Sequence, residues 1–327
     1  MTFPDRRPRR LRRTPALRQL VAETHVTTDD LIAPLFVREG IDDPQRIASL
    51  PGVVQHTRET LRKEVAELAG LGVRAVVLFG IPAHKDEEGT GAFAEDGIVQ
   101  VALADLRHEV GDDVVLIADL CVDEYTSHGH CGVLDDEGRV DNDATLEVYA
   151  RAAVAQADAG ATIVAPSGMM DGQVGRIRSA LDAAGHIDTA ILAYAAKYAS
   201  ALYGPFRDAV DVQIADGGDR RGYQQDPRNA REALVEVGED IDQGADIVMV
   251  KPAVAYLDVI ADVRASVDVP VAAYHVSGEY AMLQAAAANG WIDHDAVALE
   301  LLTSIKRAGA DLVLTYLARW FAEQART

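Results

Sequence analysis

The chain has 327 residues, of which 49% are apolar, so it can bury a large core. No apolar run approaches the roughly 20 residues that span a bilayer, and residues 1–18 lack the apolar core of a secretory signal. We therefore expect a cytoplasmic protein without membrane contact. Only two cysteines occur, which argues against a disulfide framework.

The net charge of −21 is unevenly distributed, because residues 1–18 contain seven Arg and one Asp. Residues 1–28 are predicted to form an arm that docks on the acidic body of a neighbouring subunit. A nucleic-acid partner is disfavoured, since the acidic body would repel phosphates. An acidic chain with few lysines also favours a high-salt cytoplasm as its source.

After the arm the chain repeats a β-branched run, a polar loop and an Ala-rich amphipathic helix. Helical spacing of apolar residues is clearest in 58–69 and in 143–159, the latter with Asp143 as predicted N-cap. The predicted strands are apolar throughout, which indicates burial on both faces, as in a parallel sheet. They are residues 31–36, 73–79, 114–118, 161–165, 190–195, 246–250, 270–275 and 311–315.

Eight βα units within residues 29–327 predict an α/β fold, a (β/α)8 TIM barrel carrying the extended N-terminal arm. A doubly wound open sheet is the alternative, but the first turn lacks a Gly-rich dinucleotide fingerprint. Reactive residues of such barrels lie just past the C-terminal ends of the strands. The polar residues found there are Asp119, Ser167, Lys197, Lys251, Ser277 and Tyr316.

Lysine is scarce, and two of the five lysines, Lys197 and Lys251, end apolar runs. A lone lysine in such a place is usually a snorkelling side chain. Two on adjacent strands would lower each other's pKa through desolvation and repulsion, which frees an amine as a nucleophile. The pair predicts Schiff-base chemistry on carbonyl substrates.

The loop after the third predicted strand offers two thiols and a carboxylate, from Cys121, Asp123 and Cys131. Three such ligands suit zinc and leave a fourth position open, as in catalytic sites. His128 and His130 are further candidates as ligands or as their supports. The alternative is a pair of buried thiols in a polar loop.

Residues 198–221 are too long for an ordinary βα turn and are predicted to be an active-site lid. Gly217 and Gly218 would supply hinge-like freedom. Arg207, Arg220 and Arg221 are candidates to clamp a substrate carboxylate. Surface charge on a mobile loop is the alternative explanation for these arginines.

Eight stretches occur in the order found in one family, and together they are highly specific. The chain resembles the porphobilinogen synthase, or 5-aminolevulinate dehydratase, family from about Arg10 to the C-terminus. The matching stretches are residues 125–132, 165–172, 197–200, 203–208, 218–221, 249–252, 274–282 and 304–311.

The resemblance implies a hydro-lyase of haem (porphyrin) biosynthesis, usually a homo-octamer, that condenses two 5-aminolevulinate molecules to porphobilinogen with loss of two waters. It implies that Lys197 and Lys251 form Schiff bases and that Asp119 is catalytic. One substrate carboxylate would bind Ser277 and Tyr316. The other substrate-binding residues that it implies are Ser167, Tyr203, Phe206, Arg207, Arg220, Gln224 and Tyr274.

The metal loop departs from the family pattern. Zinc-type members carry three cysteines, whereas here Asp123 stands in place of the middle one. The resemblance still implies zinc on Cys121, Asp123 and Cys131, and it places an allosteric magnesium ion on Glu236. Another Schiff-base-forming barrel aldolase or dehydratase is the alternative activity. Such enzymes need one lysine and commonly bind phosphate, so the second lysine and the Cys loop disfavour it. A catalytically dead, metal-buffering oligomer is disfavoured by the intact site residues.

Overall fold

The computed structural model describes residues 6–214 and 218–326. Three parts of the predictions lie outside the described residues. They are the first five residues of the arm, residues 215–217 of the predicted lid, including the hinge residue Gly217, and residue 327.

Within the described residues, ten strands form one sheet, and eight of them close into a parallel barrel, because the first strand pairs with the last (Leu31 opposite Val313). In chain order the strands are β1 (Leu31–Arg38), β2 (Gln45–Arg46), β3 (Val54–His56), β4 (Ala75–Ile81), β5 (Val115–Leu120), β6 (Ile163–Pro166), β7 (Ala190–Lys197), β8 (Ile247–Lys251), β9 (Val271–His275) and β10 (Leu312–Thr315). All eight predicted strands are barrel strands, so the predicted (β/α)8 barrel is confirmed, and β2 and β3 are the two that the prediction lacked.

Helices alternate with the barrel strands and cover them on the outside. They are α1 (Pro15–Leu20), α2 (Arg58–Leu71), α3 (Ile98–Val110), α4 (Asn142–Asp158), α5 (Gln173–Ala184), α6 (Gly204–Ala209), α7 (Ala230–Asp242), α8 (Leu257–Ser266), α9 (Ser277–Ala288), α10 (His294–Ala308) and α11 (Ala318–Gln324). None of the helices in the described part of the chain is long and apolar enough to cross a membrane.

Both helices predicted from apolar spacing are present as α2 and α4, but the predicted N-cap of α4 is wrong. Asp141 caps this helix, and its carboxylate accepts a hydrogen bond from the backbone N–H of Ala144 at 3.0 Å. Asp143 lies in the first turn instead, where its charge favours the positive end of the helix dipole. Two aspartates two residues apart fit the capping preference equally well, so the sequence alone did not separate them.

The strands are buried along nearly their whole length, as the continuous apolar runs predicted. Val76, Val77 and Leu78 of β4, for example, have no exposed surface. Hydrogen-bonded pairing continues further than predicted at the C-terminal ends, where Asp119 pairs with Ala165 and Lys197 pairs with Lys251. Asp119 therefore lies within β5, and both lysines are the last residues of their strands.

The hairpin β2–β3 packs beside β1 at the C-terminal end of the barrel, with β3 parallel to β1 and Gln55 opposite Phe36. It was missed because its strands have only two and three residues. Such short strands carry no apolar alternation long enough to recognise.

The arm has little contact with the barrel of its own chain. Residues Pro8–Arg12 form a 3₁₀ turn and α1 follows, and neither element contains a buried residue. Leu11 and Leu20 are exposed. The described part of the arm therefore leaves apolar side chains uncovered by its own chain.

Candidate active site

Lys197 and Lys251 are the centre of the site. They are register partners at the ends of β7 and β8, and they are 4% and 5% exposed, respectively. The strand pairing thus brings together the two amines that sequence analysis singled out, and the barrel wall removes both from water.

The ammonium group of Lys251 is surrounded by aromatic rings. Its Nζ lies 4.4 Å from the ring centroid of Tyr274 and 5.0 to 5.2 Å from three further rings, those of Tyr194, Tyr203 and Phe206. Burial and, to a smaller extent, the charge of Lys197 lower the pKa of Lys251 to about 7. The amine is therefore half neutral near pH 7, as a nucleophile requires.

Lys197 is held by a hydrogen-bonded chain that ends at Asp119. Its Nζ donates to the backbone carbonyl of Ser167. The hydroxyl of Ser167 in turn donates to Oδ2 of Asp119 at 3.0 Å. One residue therefore links the second amine to the buried carboxyl group.

Asp119 is suited to exchange protons near neutral pH. Burial raises the pKa of Asp119 to about 6, although the positive charges of Lys197 and Lys251 act in the opposite direction. Its Oδ1 is buried and has no hydrogen-bond partner within the described residues. A buried carboxyl group with an unpaired oxygen and a raised pKa has the properties that a general acid or base requires.

Cys121, Asp123 and Cys131 converge, as predicted. Their ligand atoms all lie within 4.8 Å of one another, and all three side chains are buried. Burial raises the pKa of the Cys121 thiol well above its ordinary value. Burial acts on Cys131 in the same direction, but a hydrogen bond from Cys121 and the charge of Arg220 leave the pKa of Cys131 lowered. Two thiols and a carboxylate at this spacing fit a metal ion.

The carboxylate of this group has a partner that sequence analysis did not foresee. Asp123 Oδ2 accepts a hydrogen bond from Nη2 of Arg220 at 2.7 Å. Burial disfavours the ionised form, but the charges of Arg220 and Lys197 outweigh it, so the pKa of Asp123 lies below its ordinary range. The carboxylate stays ionised, which a metal ligand needs.

Arg220 consequently joins the metal loop to the predicted carboxylate clamp. Its Nη2 also donates to the carbonyl of Gly129 at 2.9 Å, whereas its Nε is buried without a partner in the described segments. Gln224 is buried too, and its Nε2 lacks a described partner. Arg207 points into the same cavity from α6. Arg221 is exposed beside Asp219 and lines an outer cavity instead, so the structure places it outside this group.

Ser277 and Tyr316 each contact a residue whose ring lies beside the Lys251 amine. The phenols of Tyr316 and Tyr274 are hydrogen-bonded at 3.2 Å. Ser277 begins α9, and its Oγ accepts from the backbone N–H of Phe206 at 3.0 Å. This contact seats α6 on the N-terminus of α9.

The short helix α6, which carries Phe206 and Arg207, is also held by the hairpin β2–β3. Gln55 of β3 donates from Nε2 to the carbonyl of Ala209 at 2.7 Å. Ser49, in the turn of the hairpin, donates to the carboxylate of Asp208 at 2.5 Å. The hairpin that sequence analysis missed is thus the support of one wall of the site.

Tyr203 lines the lysine cavity and also makes backbone contacts that the sequence did not predict. Its hydroxyl donates to the carbonyls of Tyr198 at 2.8 Å and Lys251 at 3.2 Å. The hydroxyl anchors the ring to the backbone, and the ring forms one wall beside the Lys251 amine. Tyr194, which sequence analysis treated as part of an apolar run, lies beneath both amines.

Glu236 is separate from this cavity. It lies half-buried on α7 and lines an outer cavity of about 790 Å³ together with His130 and Asp171. Burial, followed by the charges of Asp171 and Glu232, raises the pKa of Glu236. The lysine cavity is lined by another set of residues: Phe79, Asp119, Asp123, Glu124, Ser167, Lys197, Tyr203, Phe206, Arg207, Arg220 and Lys251.

A parallel barrel with two buried lysines and a raised-pKa aspartate at its C-terminal rim is an arrangement suited to one class of protein, barrel lyases that act on carbonyl compounds. The family model described as delta-aminolevulinic acid dehydratase matches residues 5–324. The chain belongs to the delta-aminolevulinic acid dehydratase family, a family of lyases, and the predicted family is confirmed.

Relatives match along nearly the whole chain. Delta-aminolevulinic acid dehydratase of Streptomyces coelicolor is 60% identical over 328 residues, covering 100% of this chain and 98% of that protein. The Mycobacterium tuberculosis H37Rv protein of the same name is 60% identical and covers 97% and 96%. A crystal structure of the Toxoplasma gondii ME49 delta-aminolevulinic acid dehydratase (porphobilinogen synthase), in complex with the reaction product porphobilinogen, has a TM-score of 0.95 at 45% identity, covering 98% of this chain and 91% of that one.

Proposed function

We propose that this chain condenses two molecules of 5-aminolevulinate into porphobilinogen with loss of two waters, in haem and other tetrapyrrole biosynthesis. The observation that carries the proposal is the register pair of buried lysines, Lys197 and Lys251. Two amines in one cavity match a reaction that joins two ketone substrates. The T. gondii relative, which is bound to porphobilinogen, supports the same small-molecule substrate.

Each amine would act as a nucleophile. The neutral amine of Lys251 adds to a ketone carbon, and loss of water then gives an imine that withdraws electrons from the neighbouring carbon. Lys197 would bind the second substrate in the same way. Asp119, with a pKa of about 6, would move protons between the two bound substrates.

The two carboxylates of the substrates would bind to two different sets of residues. The hydroxyls of Ser277 and Tyr316 would hold one. The other would meet the guanidinium of Arg207 together with the two buried donors that have no described partner, Arg220 Nε and Gln224 Nε2. A substrate carboxylate would therefore satisfy groups that are costly to leave buried and unpaired.

Cys121, Asp123 and Cys131 would hold a zinc ion, as two thiols and a carboxylate favour. When bound, zinc polarises a carbonyl or activates a water molecule. Arg220 would compete with the ion for Asp123, because the guanidinium already binds that carboxylate. A separate magnesium ion, acting allosterically, would bind at Glu236 through water.

The test of the function is colorimetric detection of porphobilinogen from 5-aminolevulinate. The protein is stripped of metal and then restored with zinc or magnesium separately, at low and at high salt. Product restored by zinc supports the enzyme and the Cys-Asp-Cys site together. Restoration by magnesium alone would instead assign the activating metal to Glu236. The absence of product under every condition would overturn the proposed function.

Asp123→Cys is expected to strengthen zinc binding by at least tenfold, because a third thiolate is a softer ligand and does not pair with Arg220. Competition with a chromogenic zinc chelator measures the affinity. Asp136→Cys, at an exposed position of the same loop region, is the matched control and should leave it unchanged. Equal zinc affinity in Asp123→Cys and the parent would remove Asp123 from the ligand set.

The arm and the oligomer form a separate proposal, a homo-octamer in which each arm docks on a neighbouring subunit. Its support is the exposed Leu11 and Leu20 on a basic segment, facing a chain that is otherwise acidic. Deletion of residues 1–20 is expected to yield a smaller assembly by light scattering, since the N-cap at Thr27 and the contact of Asp30 with Lys306 remain. An unchanged mass would contradict arm-dependent assembly.

A further inference from the structure

Tyr194 occupies a place that the regular geometry of a strand would not give it. Side chains alternate between the two faces of a strand, so residues three apart should face opposite ways. Tyr194 and Lys197 nevertheless lie together, with Nζ of Lys197 5.7 Å from the tyrosine ring centroid. The cause is a register shift between Ala193 and Ala196 in the pairing of β7 with β8. Bulges of this kind re-aim side chains next to active sites.

The hydroxyl of Tyr194 makes no well-formed hydrogen bond within the described residues. The side chain has no exposed surface, and its OH lacks a hydrogen-bond partner among the residues that the structure describes. A buried hydroxyl without a partner costs free energy, and phenylalanine would fill the same space without that cost. The hydroxyl therefore has no packing role that a bare ring would not serve.

A second unsatisfied oxygen belongs to the same group of side chains. Asp119 Oδ2 accepts from Ser167, but Oδ1 is buried without a described partner. Burial, then the charge of Asp119 and a side-chain interaction of the phenol with that carboxyl group, raise the pKa of Tyr194 well above its ordinary value, so the phenol remains a donor. A ligand group that accepts a hydrogen bond from the phenol and donates one to the carboxyl oxygen would pair with both. A hydroxyl is such a group.

We propose that the Tyr194 hydroxyl is a catalytic hydrogen-bond donor to the hydroxyl of the carbinolamine formed on Lys251, the adduct that precedes the imine. This inference rests on the proposed function. Lys251 is favoured over Lys197, since its Nζ lies closer to the ring, at 5.0 Å, and the Lys197 amine is already bound to the Ser167 carbonyl.

The step that Tyr194 assists is a loss of water. The nitrogen lone pair forms the π bond of the C=N group while the C–O bond breaks, and the departing oxygen leaves as water. The proton lost from nitrogen balances the proton that the oxygen gains, so no oxidant or reductant is needed. Tyr194 keeps its own proton and stabilises the charge that develops on the leaving oxygen.

Tyr194→Phe isolates the hydroxyl, because the ring and its edge-to-face contact with Tyr274 are retained. The matched control is Tyr198→Phe on the chain just beyond β7. The Tyr198 hydroxyl is satisfied by the carbonyl of Asn229 at 3.0 Å, and its ring stacks on Tyr256. Both substitutions remove one phenolic oxygen from the same region, one inside the site and one outside it.

Two measurements are made on the metal-supplemented protein: steady-state porphobilinogen formation, and single-turnover borohydride trapping of 5-aminolevulinate on Lys251, read by peptide mass spectrometry. Tyr194→Phe is expected to lower kcat and the trapping rate together by roughly tenfold to hundredfold. Its melting temperature should not fall, because an unsatisfied group is removed. Tyr198→Phe should melt lower and turn over within twofold of the parent.

The outcomes distinguish a failure of the proposed function from a failure of the role of Tyr194. A parent protein that makes no porphobilinogen and traps no substrate overturns the proposed function. An active parent with Tyr194→Phe turning over and trapping at the parental rate overturns the role of Tyr194 alone. Slower turnover with an unchanged trapping rate also overturns it, since the hydroxyl would then act after imine formation.

Discussion

Replacing Lys251 by alanine is expected to abolish porphobilinogen formation, by at least roughly a thousandfold in kcat, while the fold is retained. The covalent adduct cannot form without the amine, and the remaining lysine binds only one substrate. The melting temperature should stay near that of the parent, because the substitution removes an amine whose charged form burial disfavours.

Porphobilinogen assay and circular dichroism measure the two effects of this substitution. Lys63→Ala is the matched control, since Lys63 is exposed and forms only an i,i+4 ion pair with Glu59. Such an exposed pair contributes little to stability. Activity of Lys251→Ala within a few fold of the parent would remove Lys251 from the chemistry.

The rate of imine formation at Lys251 is expected to rise with pH through about 7, where half of the amine is neutral. An ordinary lysine at pH 7 is neutral in roughly one molecule in three thousand. The rate rises with pH because the neutral amine is the attacking form and its fraction grows as pH increases. Borohydride trapping of 5-aminolevulinate from pH 5.5 to 9, resolved by peptide, gives the profile.

Lys197→Met tests the cause of that lowered pKa. The substitution removes the positive neighbour of Lys251 and keeps the cavity filled, so the rising limb should move to higher pH and the rate at pH 7 should fall. Lys63→Met should leave the limb in place. A limb above pH 9 in the parent, or one that does not move in Lys197→Met, would contradict the repulsion between the two amines.

The barrel was predictable because each of its strands is buried on both faces and therefore appears in the sequence as an unbroken apolar run. The two lysines could be identified for a related reason, since a charged residue at the end of such a run has no apolar explanation. Ser277 and Tyr316 were identified in the same way, as polar residues just past the ends of apolar runs. Local sequence pattern was sufficient to predict where a residue lies wherever that position depends on a single strand.

The remaining features depend on contacts between distant segments. The pairing of Arg220 with Asp123 joins two loops 97 residues apart, and no local pattern reveals it. The register shift that turns Tyr194 toward the lysines arises from the match between β7 and β8, not from either strand alone. The hairpin β2–β3 is too short to carry a periodic signal, although Gln55 and Ser49 hold α6 in place.

Closure of the barrel joins the first strand to the last, with Leu31 opposite Val313. All of the chain from β1 to β10 must therefore be synthesised before the ring can close, and Tyr316 directly follows β10. Contacts of such large sequence separation form late and slowly. A nascent chain that lacks β10 would expose the unpaired edges of β1 and β9, and exposed strand edges of this kind are what chaperones protect from aggregation.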